Sequence, residues 1–221
     1  NRAVPLLAAL RSVVRQTLPA GEWECLVVDN NSSDDTAERF AAFAAAHPGV
    51  NLRMVRETGP GVSYARNRGL AEAAGPIVAF IDDDERVNEA FLASYLHFFD
   101  ANPDAVVAGG RIIAEYPEGR PSWMSKWTEM PIANPMDFGD AVRPFPAGRV
   151  PGGGNMAFRR AGLARYDGFD PSLGRVTGRL TGGEENDLFE RLLRGGETIW
   201  YVPGAVMWHI IPPSKLTADY F

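Results

Sequence analysis

An α/β fold, with a mostly parallel sheet and helices on both faces, is what this 221-residue sequence predicts. Three observations carry the prediction. Short β-branched runs alternate with helical segments at close intervals, the pattern of strands joined by helical crossovers. Two of those runs, "LVVD" and "AFID", end in an acid, so both acids would face one crevice at the carboxyl ends of the strands. A hydrophobic content of 45% over this length supports one sizeable core rather than two equal domains.

The elements follow in order. "NRAVPLLAALRSVVRQTLP" opens almost directly into a helix, with Leu6, Leu7, Leu10, Val13 and Val14 at helical spacing and Pro5 tolerable in the first turn. A strand ahead of it is expected to be missing. A buried strand follows at about Glu24 to Val28, stopping at Asp29; Ser32 or Ser33 is the expected cap of a helix running toward Ala46. "NLRMVRE" is a second strand. "GPGVSYARNRGLAEAAG" is a glycine turn and a helix from about Val62 that stops at Gly75. "PIVAFID" is a third strand, with a helix expected from near Asn88.

After Asn102 the texture changes. "AVVAGGRIIAEY" is a strand, and residues 116–151 form a loop-rich insert with many prolines and with Trp123, Trp127, Phe138 and Phe145. "GNMAFRRAGL" restarts strand and helix, "GGEENDLFERLLRGG" is an acid-headed helix, and "TIWYVPGAVMWHII" closes the chain as strand. This divides one domain into two halves, residues 1–103 and residues 104–221.

A net charge of −6 without a basic stripe argues against nucleic acid as a partner. No run of about 18 apolar residues occurs, so no transmembrane segment is expected. Cys25, the single cysteine, lies in a strand run; it is expected to be a buried apolar group in a reducing compartment. The expected location is cytoplasmic, with peripheral attachment to an inner membrane left open.

Three clusters could carry chemistry. In "AFIDDDE", Asp82 and Asp84 bracket one residue, so a bent backbone can aim both carboxylates at one Mg2+ or Mn2+ ion that also bridges a diphosphate. The alternative is a solvated acidic cap on the next helix. "GPGVSYARNRG" offers helix-start amides with Arg66 and Arg68 for a phosphate, but it lacks the dinucleotide fingerprint, having Tyr64 where the last glycine would stand. In "GGEENDL", Glu184 and Glu185 either compensate a helix dipole or supply a general base, and adjacent glutamates would raise one partner's pKa. His209, in an apolar strand run, is a core residue or a ligand. No zinc spacing and no G-x-S-x-G occur.

In this order the motifs resemble family-two glycosyltransferases, inverting enzymes with the GT-A fold. "LVVDNNSSDDT" is similar to the segment that holds the nucleotide base, which implies that role for Asp29, with Asn31 beside it. "GPGVSYARNRGL" is similar to the phosphate-side helix, placing Arg66 and Asn67. "AFIDDDE" is similar to the D-x-D motif, assigning Asp82, Asp83 and Asp84 to ribose, metal and diphosphate. "GGGNMAFRR", followed by "YDGFDPSLG", resembles the acceptor-side segment, with Gly154 and Asn155 lining the sugar pocket. "GGEENDL" is similar to a Glu-Asp motif whose second acid is the base. Glutamate stands in that position here, Glu185, and Glu184 remains the alternative. "YVPGAVMWH" resembles the closing strand whose histidine, His209, approaches the metal.

The resemblance implies a metal-dependent transferase. It would move sugar from a nucleotide-diphosphate donor, UDP by preference, to a glycan, a lipid-linked sugar or a small hydroxylated acceptor. Trp123 and Trp127 would serve as stacking platforms or as anchors of the insert. A non-catalytic binding domain and a sugar nucleotidyltransferase are the alternatives. A dehalogenase-like phosphatase would need threonine or valine where Arg86 stands.

Overall fold

The structure, a computed structural model, describes residues 1–174 and 183–217. Gly182, the first glycine ahead of the acid-headed helix, lies outside the described residues. The helices are α1 (Ala3–Val13), α2 (Thr36–Ala45), α3 (Val62–Glu72), α4 (Phe91–Ala101), α5 (Lys126–Ala133), α6 (Arg160–Leu163) and α7 (Glu184–Arg194). The strands are β1 (Glu24–Asn30), β2 (Asn51–Glu57), β3 (Ile77–Phe80), β4 (Glu85–Val87), β5 (Val107–Glu115), β6 (Arg143–Pro144), β7 (Met156–Arg159) and β8 (Ile199–Ile210).

The strands form two sheets. β1 and β2 pair in parallel, from Glu24 opposite Asn51 to Asn30 opposite Glu57. The second sheet runs β3-β7-β5-β8-β4, with β6 on β8. Its central pair, β5 and β8, is parallel; β3–β7, β5–β7, β4–β8 and β6–β8 are antiparallel. The α/β architecture is as the sequence predicts, while parallel pairing is confined to two strand pairs. Alternation of strand and helix does not reveal that β3 and β5 are separated by β7, an antiparallel strand nearly fifty residues further on.

Between Gly110 and Arg111 the β5–β8 register slips, and a side chain closes the gap. Asn155, fully buried, donates its amide to the carbonyls of Arg111 (2.9 Å) and Ala205 (3.1 Å) and accepts from the Tyr95 hydroxyl at 2.6 Å. Phe91, Tyr95, Phe98 and Phe99 of α4 pack the core on one side. Phe158, Phe169, Leu188, Phe189 and Leu192 pack it around α7.

Four local expectations are corrected. α2 starts at Thr36 behind Asp35, without a side-chain cap; Ser32 and Ser33 instead bond Asn1. The helix expected near Asn88 begins at Phe91, because Glu85–Val87 is drawn into β4 and Asn88 ties to the backbone of Gly204 and Val206. The third strand ends at Phe80, leaving Ile81 to Asp84 as a turn. Inside the loop-rich insert, α5 forms from a capping box in which Ser125 and Thr128 bond each other's backbone amides. Asn134 ends that helix in the left-handed conformation, φ 43°. Trp123 and Trp127 are half and almost fully exposed. Cys25 is partly rather than fully buried, packed against the core from β1, and the burial it has pushes its thiol up to about 12, which leaves little reactive thiolate.

Candidate active site

The turn after β3 and the head of α7 meet over α3. β3 delivers Asp82, Asp83 and Asp84 as a turn that β4 folds back under, so Glu85 is buried beneath it and accepts the Asp82 amide at 2.8 Å. Gly154 packs against that carboxylate so closely that a Cβ would fall on it. A Cβ on Gly153 would fall on Glu185 and Arg66, and one on Gly152 would press Ile112. The "GGG" run is thus a backbone strip with no room for side chains, which lets α7 approach the acid turn.

Arg66, only 6% exposed, joins the two sides. Its Nη1 donates to Glu184 Oε1 at 3.0 Å and pairs with Glu185 Oε1 at 2.9 Å. Its Nη2 lies 3.7 Å from Asp82 Oδ1, and its guanidinium carbon lies 5.4 Å from the centre of the Phe169 ring. One guanidinium therefore answers three carboxylates. Asp84 is paired by Lys215 at 3.4 Å and by Arg2 at 3.1 Å, and Arg2 also reaches Asp83 at 2.7 Å.

The two glutamates separate electrostatically. Glu184 is buried, its Oε2 without a hydrogen-bond partner among the described residues. Burial, then the charge of Glu185, raises its pKa. Glu185 keeps about a quarter of its side chain open. Burial would raise it too, but Arg66, the hydrogen bond with Glu184 and the backbone amide together hold it below the usual carboxylate range. Glu185 is accordingly the more acidic of the two, and it faces open space.

His209 lies opposite Glu85 in the β4–β8 ladder, with Nδ1 3.2 Å from the Ala133 carbonyl. A carbonyl only accepts, so Nδ1 carries the proton and Nε2 keeps its lone pair. Burial lowers the pKa of the ring, against the opposing pull of Asp84.

These groups line one cavity of about 350 Å³: Arg66, Asp82, Asp84, Glu85, Gly154, Glu184, Glu185, His209 and Lys215. Asp29, Asn31, Asn67, Asp83 and Asn155 are not part of its lining. Asp29 accepts the Ser32 amide at 3.1 Å, and Asn31, at φ 64°, donates to Thr58 O, both at the end of β1. Both groups of the Asn67 amide are spent on Phe169. The expected sugar-pocket role of Asn155 is corrected: it lies in the core, bonded on every side, and cannot touch a ligand. Sequence reasoning missed Glu85 as a buried member and Lys215 altogether. The two-residue spacing that puts Glu85 on the same strand face as the apolar Val87 was the available signal for the first; nothing local signals the second.

Among the described residues, no three His, Cys, Asp or Glu side chains stand ready around one cation. Arg66 pairs with Asp82, and Arg2 and Lys215 pair with Asp84. The donor set itself is hard oxygen from Asp82 and Asp84 with one imidazole nitrogen from His209, chemistry suited to Mg2+ or Mn2+. Protein cations already standing at Asp84 show that the position attracts positive charge.

This α/β fold is the GT-A fold, shared with solved structures of glycosyltransferases. A mannosyltransferase from Pyrobaculum calidifontis, in complex with GDP-Man and Mn2+, superposes with a TM-score of 0.70 at 21% identity, over 96% of this chain and 55% of that one. S. aureus TarS in complex with UDP-GlcNAc gives 0.67 at 20% identity, over 94% and 55%.

The chain belongs to Glycosyl transferase family 2, whose family model matches residues 1–167. Among curated relatives, Glycosyltransferase AglE of Haloferax volcanii is 31% identical over 54% of this chain and 38% of its own length. Succinoglycan biosynthesis protein ExoM of Rhizobium meliloti is 26% identical over 97% of this chain and 65% of its own length. The chain thus spans roughly a third to two thirds of these relatives.

Proposed function

We propose that the chain transfers a sugar from a nucleoside-diphosphate donor to a hydroxyl acceptor, with inversion, using Mn2+ or Mg2+. One observation carries this reading. Arg66 ties the strand-end acid Asp82 and the helix-head acid Glu185 into a single cavity. Donor and acceptor chemistry then share one space.

Glu185 takes the proton of the acceptor hydroxyl at Oε1 or Oε2 as that oxygen attacks the anomeric carbon, a general-base role open only to an ionised carboxylate. Attack opposite the departing diphosphate inverts the configuration. Arg66, preset by three carboxylates and a ring, turns its charge toward the diphosphate as negative charge grows there. Moving off Glu185, it returns basicity to that carboxylate at the moment the base is needed. Asp82 and Asp84, with His209 Nε2, would hold the dication, which supplies Lewis-acid stabilisation of the leaving diphosphate. Asp29 and Asn31, on the strand end that flanks the site, take the nucleotide base. The two halves, residues 1–103 and 104–221, then serve donor and acceptor respectively. UDP is the preferred donor nucleotide; the acceptor is a glycan, a lipid-linked sugar or a small hydroxylated molecule. The name of ExoM places that relative in polysaccharide synthesis.

The test is release of nucleoside diphosphate from a panel of nucleotide sugars with Mn2+. Glu185→Gln should cut turnover about 10²- to 10⁴-fold while donor affinity holds. Near-full turnover in that variant rejects Glu185 as base, and pyrophosphate release from a nucleoside triphosphate plus a sugar 1-phosphate, with no diphosphate released from the nucleotide sugars, rejects sugar transfer in favour of nucleotidyl transfer.

A further inference from the structure

A second cavity, about 330 Å³, opens on the other side of Glu185 and shares Met130, Asn134, Gly152, Gly153 and Glu185 with the first. Its remaining wall is Met136, the segment from Gly148 to Pro151, and Asn186 of α7. Arg149 is the one basic residue in that lining. It is half-buried and forms no ion pair among the described residues. Its guanidinium lies 5.9 Å from the centre of the Phe138 ring, and that ring is braced edge-on by Phe145 and Tyr201 at 5.4 and 5.2 Å. The backbone is set as well: Gly148 turns at φ 73°, and the Arg149 amide donates to Pro146 O at 3.0 Å. The cation is positioned and has no counter-ion of its own. The side-chain amides of Asn134 and Asn186, in the same lining, make no hydrogen bond among the described residues. Glu185, the only carboxylate in this wall, is already answered by Arg66.

We propose that this cavity is the acceptor subsite and that Arg149 selects acceptors bearing a negative group, phosphate or carboxylate, near the hydroxyl delivered to Glu185. The assignment as acceptor subsite rests on the transferase reading of Glu185. A partly desolvated guanidinium gains most from an oxyanion that it can grip with two parallel N–H donors. Asn134 and Asn186 supply hydrogen bonds to sugar hydroxyls, and Met130 supplies the apolar wall against which a pyranose can lie.

Calorimetric titration of the donor-free chain tests this with three probes at equal ionic strength: methyl glucoside, glucose 6-phosphate and glucuronate. At least one anionic probe should bind about tenfold or more tightly than the neutral one, the worth of a hydrogen bond to a charged group. The better of the two names the source, a phosphorylated sugar or a uronic acid. Arg149→Gln should shrink the advantage to within about twofold, and Arg149→Lys should keep part of it. Equal affinities for all three probes in the parent chain, a comparison that needs no variant, overturn the proposal. So does an anion advantage that survives Arg149→Gln, since it would place the anion elsewhere, on Arg66. The titration requires no turnover. Failure to release nucleoside diphosphate would sink the transferase reading and the acceptor role with it, but not anion binding at Arg149, while failure here would sink the anion subsite alone.

Discussion

Glu85 is the residue whose chemistry differs most from what its position in an acidic run suggests. Burial, then the neighbouring Asp82, holds its carboxyl well above the ordinary range. The folded chain therefore keeps a proton that the unfolded chain releases. Stability from this group is complete below pH about 4.3 and falls as pH rises toward the folded-state value. Glu85→Gln should abolish that decline, so the melting temperature of the metal-free variant should gain on the parent's as pH rises through the window above about 4.3. Each pH unit of the window carries about 1.4 kcal/mol, and 1 kcal/mol moves the midpoint of a chain this size by roughly 2–4 °C. A difference that stays constant across pH would refute the assignment. Of the site residues, Asp82, Asp84, Arg66 and the glutamate pair were legible in sequence, because acids at a strand end and at a helix head stand out locally. Glu85 and Lys215 were not. Their roles depend on His209 and Asp84, each more than 120 positions away in the chain. Asn155 sits in the right motif, yet a strand irregularity at Gly110 claims its amide.

At the scale of elements, long runs with plain periodicity were readable: α1, β1, β2, α3, β5, α7 and β8 lie close to where their patterns place them. Short ones were not. β4 has three residues and exists only because β8 offers it a ladder, and α5 carries Pro131 inside a proline-rich stretch that disguises a capping box. The contact that most tightly constrains these pieces is Gly154 against Glu85, and it yields a sharp comparison. Gly154→Ala should cost about 1–3 kcal/mol through overpacking against a buried group. Gly21→Ala, where nothing lies within 4 Å of the added carbon, should stay within about 0.5 kcal/mol. Urea unfolding of both variants decides it; equal costs would mean that β4 yields freely and that the strip of glycines is not a steric requirement.

For the molecule as a whole, the fold class followed from alternation and strand-end acids, whereas the direction of most pairings did not. Strand direction is settled by which distant segment fills each edge, and no local pattern encodes that. A whole-molecule measurement suits the donor question. A nucleotide sugar that fits should raise the melting temperature in the presence of Mn2+, since binding stabilises by about 2.7 kcal/mol at a hundredfold excess over Kd. If no nucleotide sugar shifts the transition, with or without Mn2+, the donor assignment fails. The pairing of Asp84 with Lys215 and Arg2 bears on how such an experiment should run. A small cation taking up Asp84, as proposed, would exchange for other ions rather than fill a void: arriving alone, it would have to evict two tethered cations and leave them stranded. A ligand that brings its own negative charge gives the evicted ammonium and guanidinium a new home, so cation and anion should each tighten the other's hold, by the same factor in both directions.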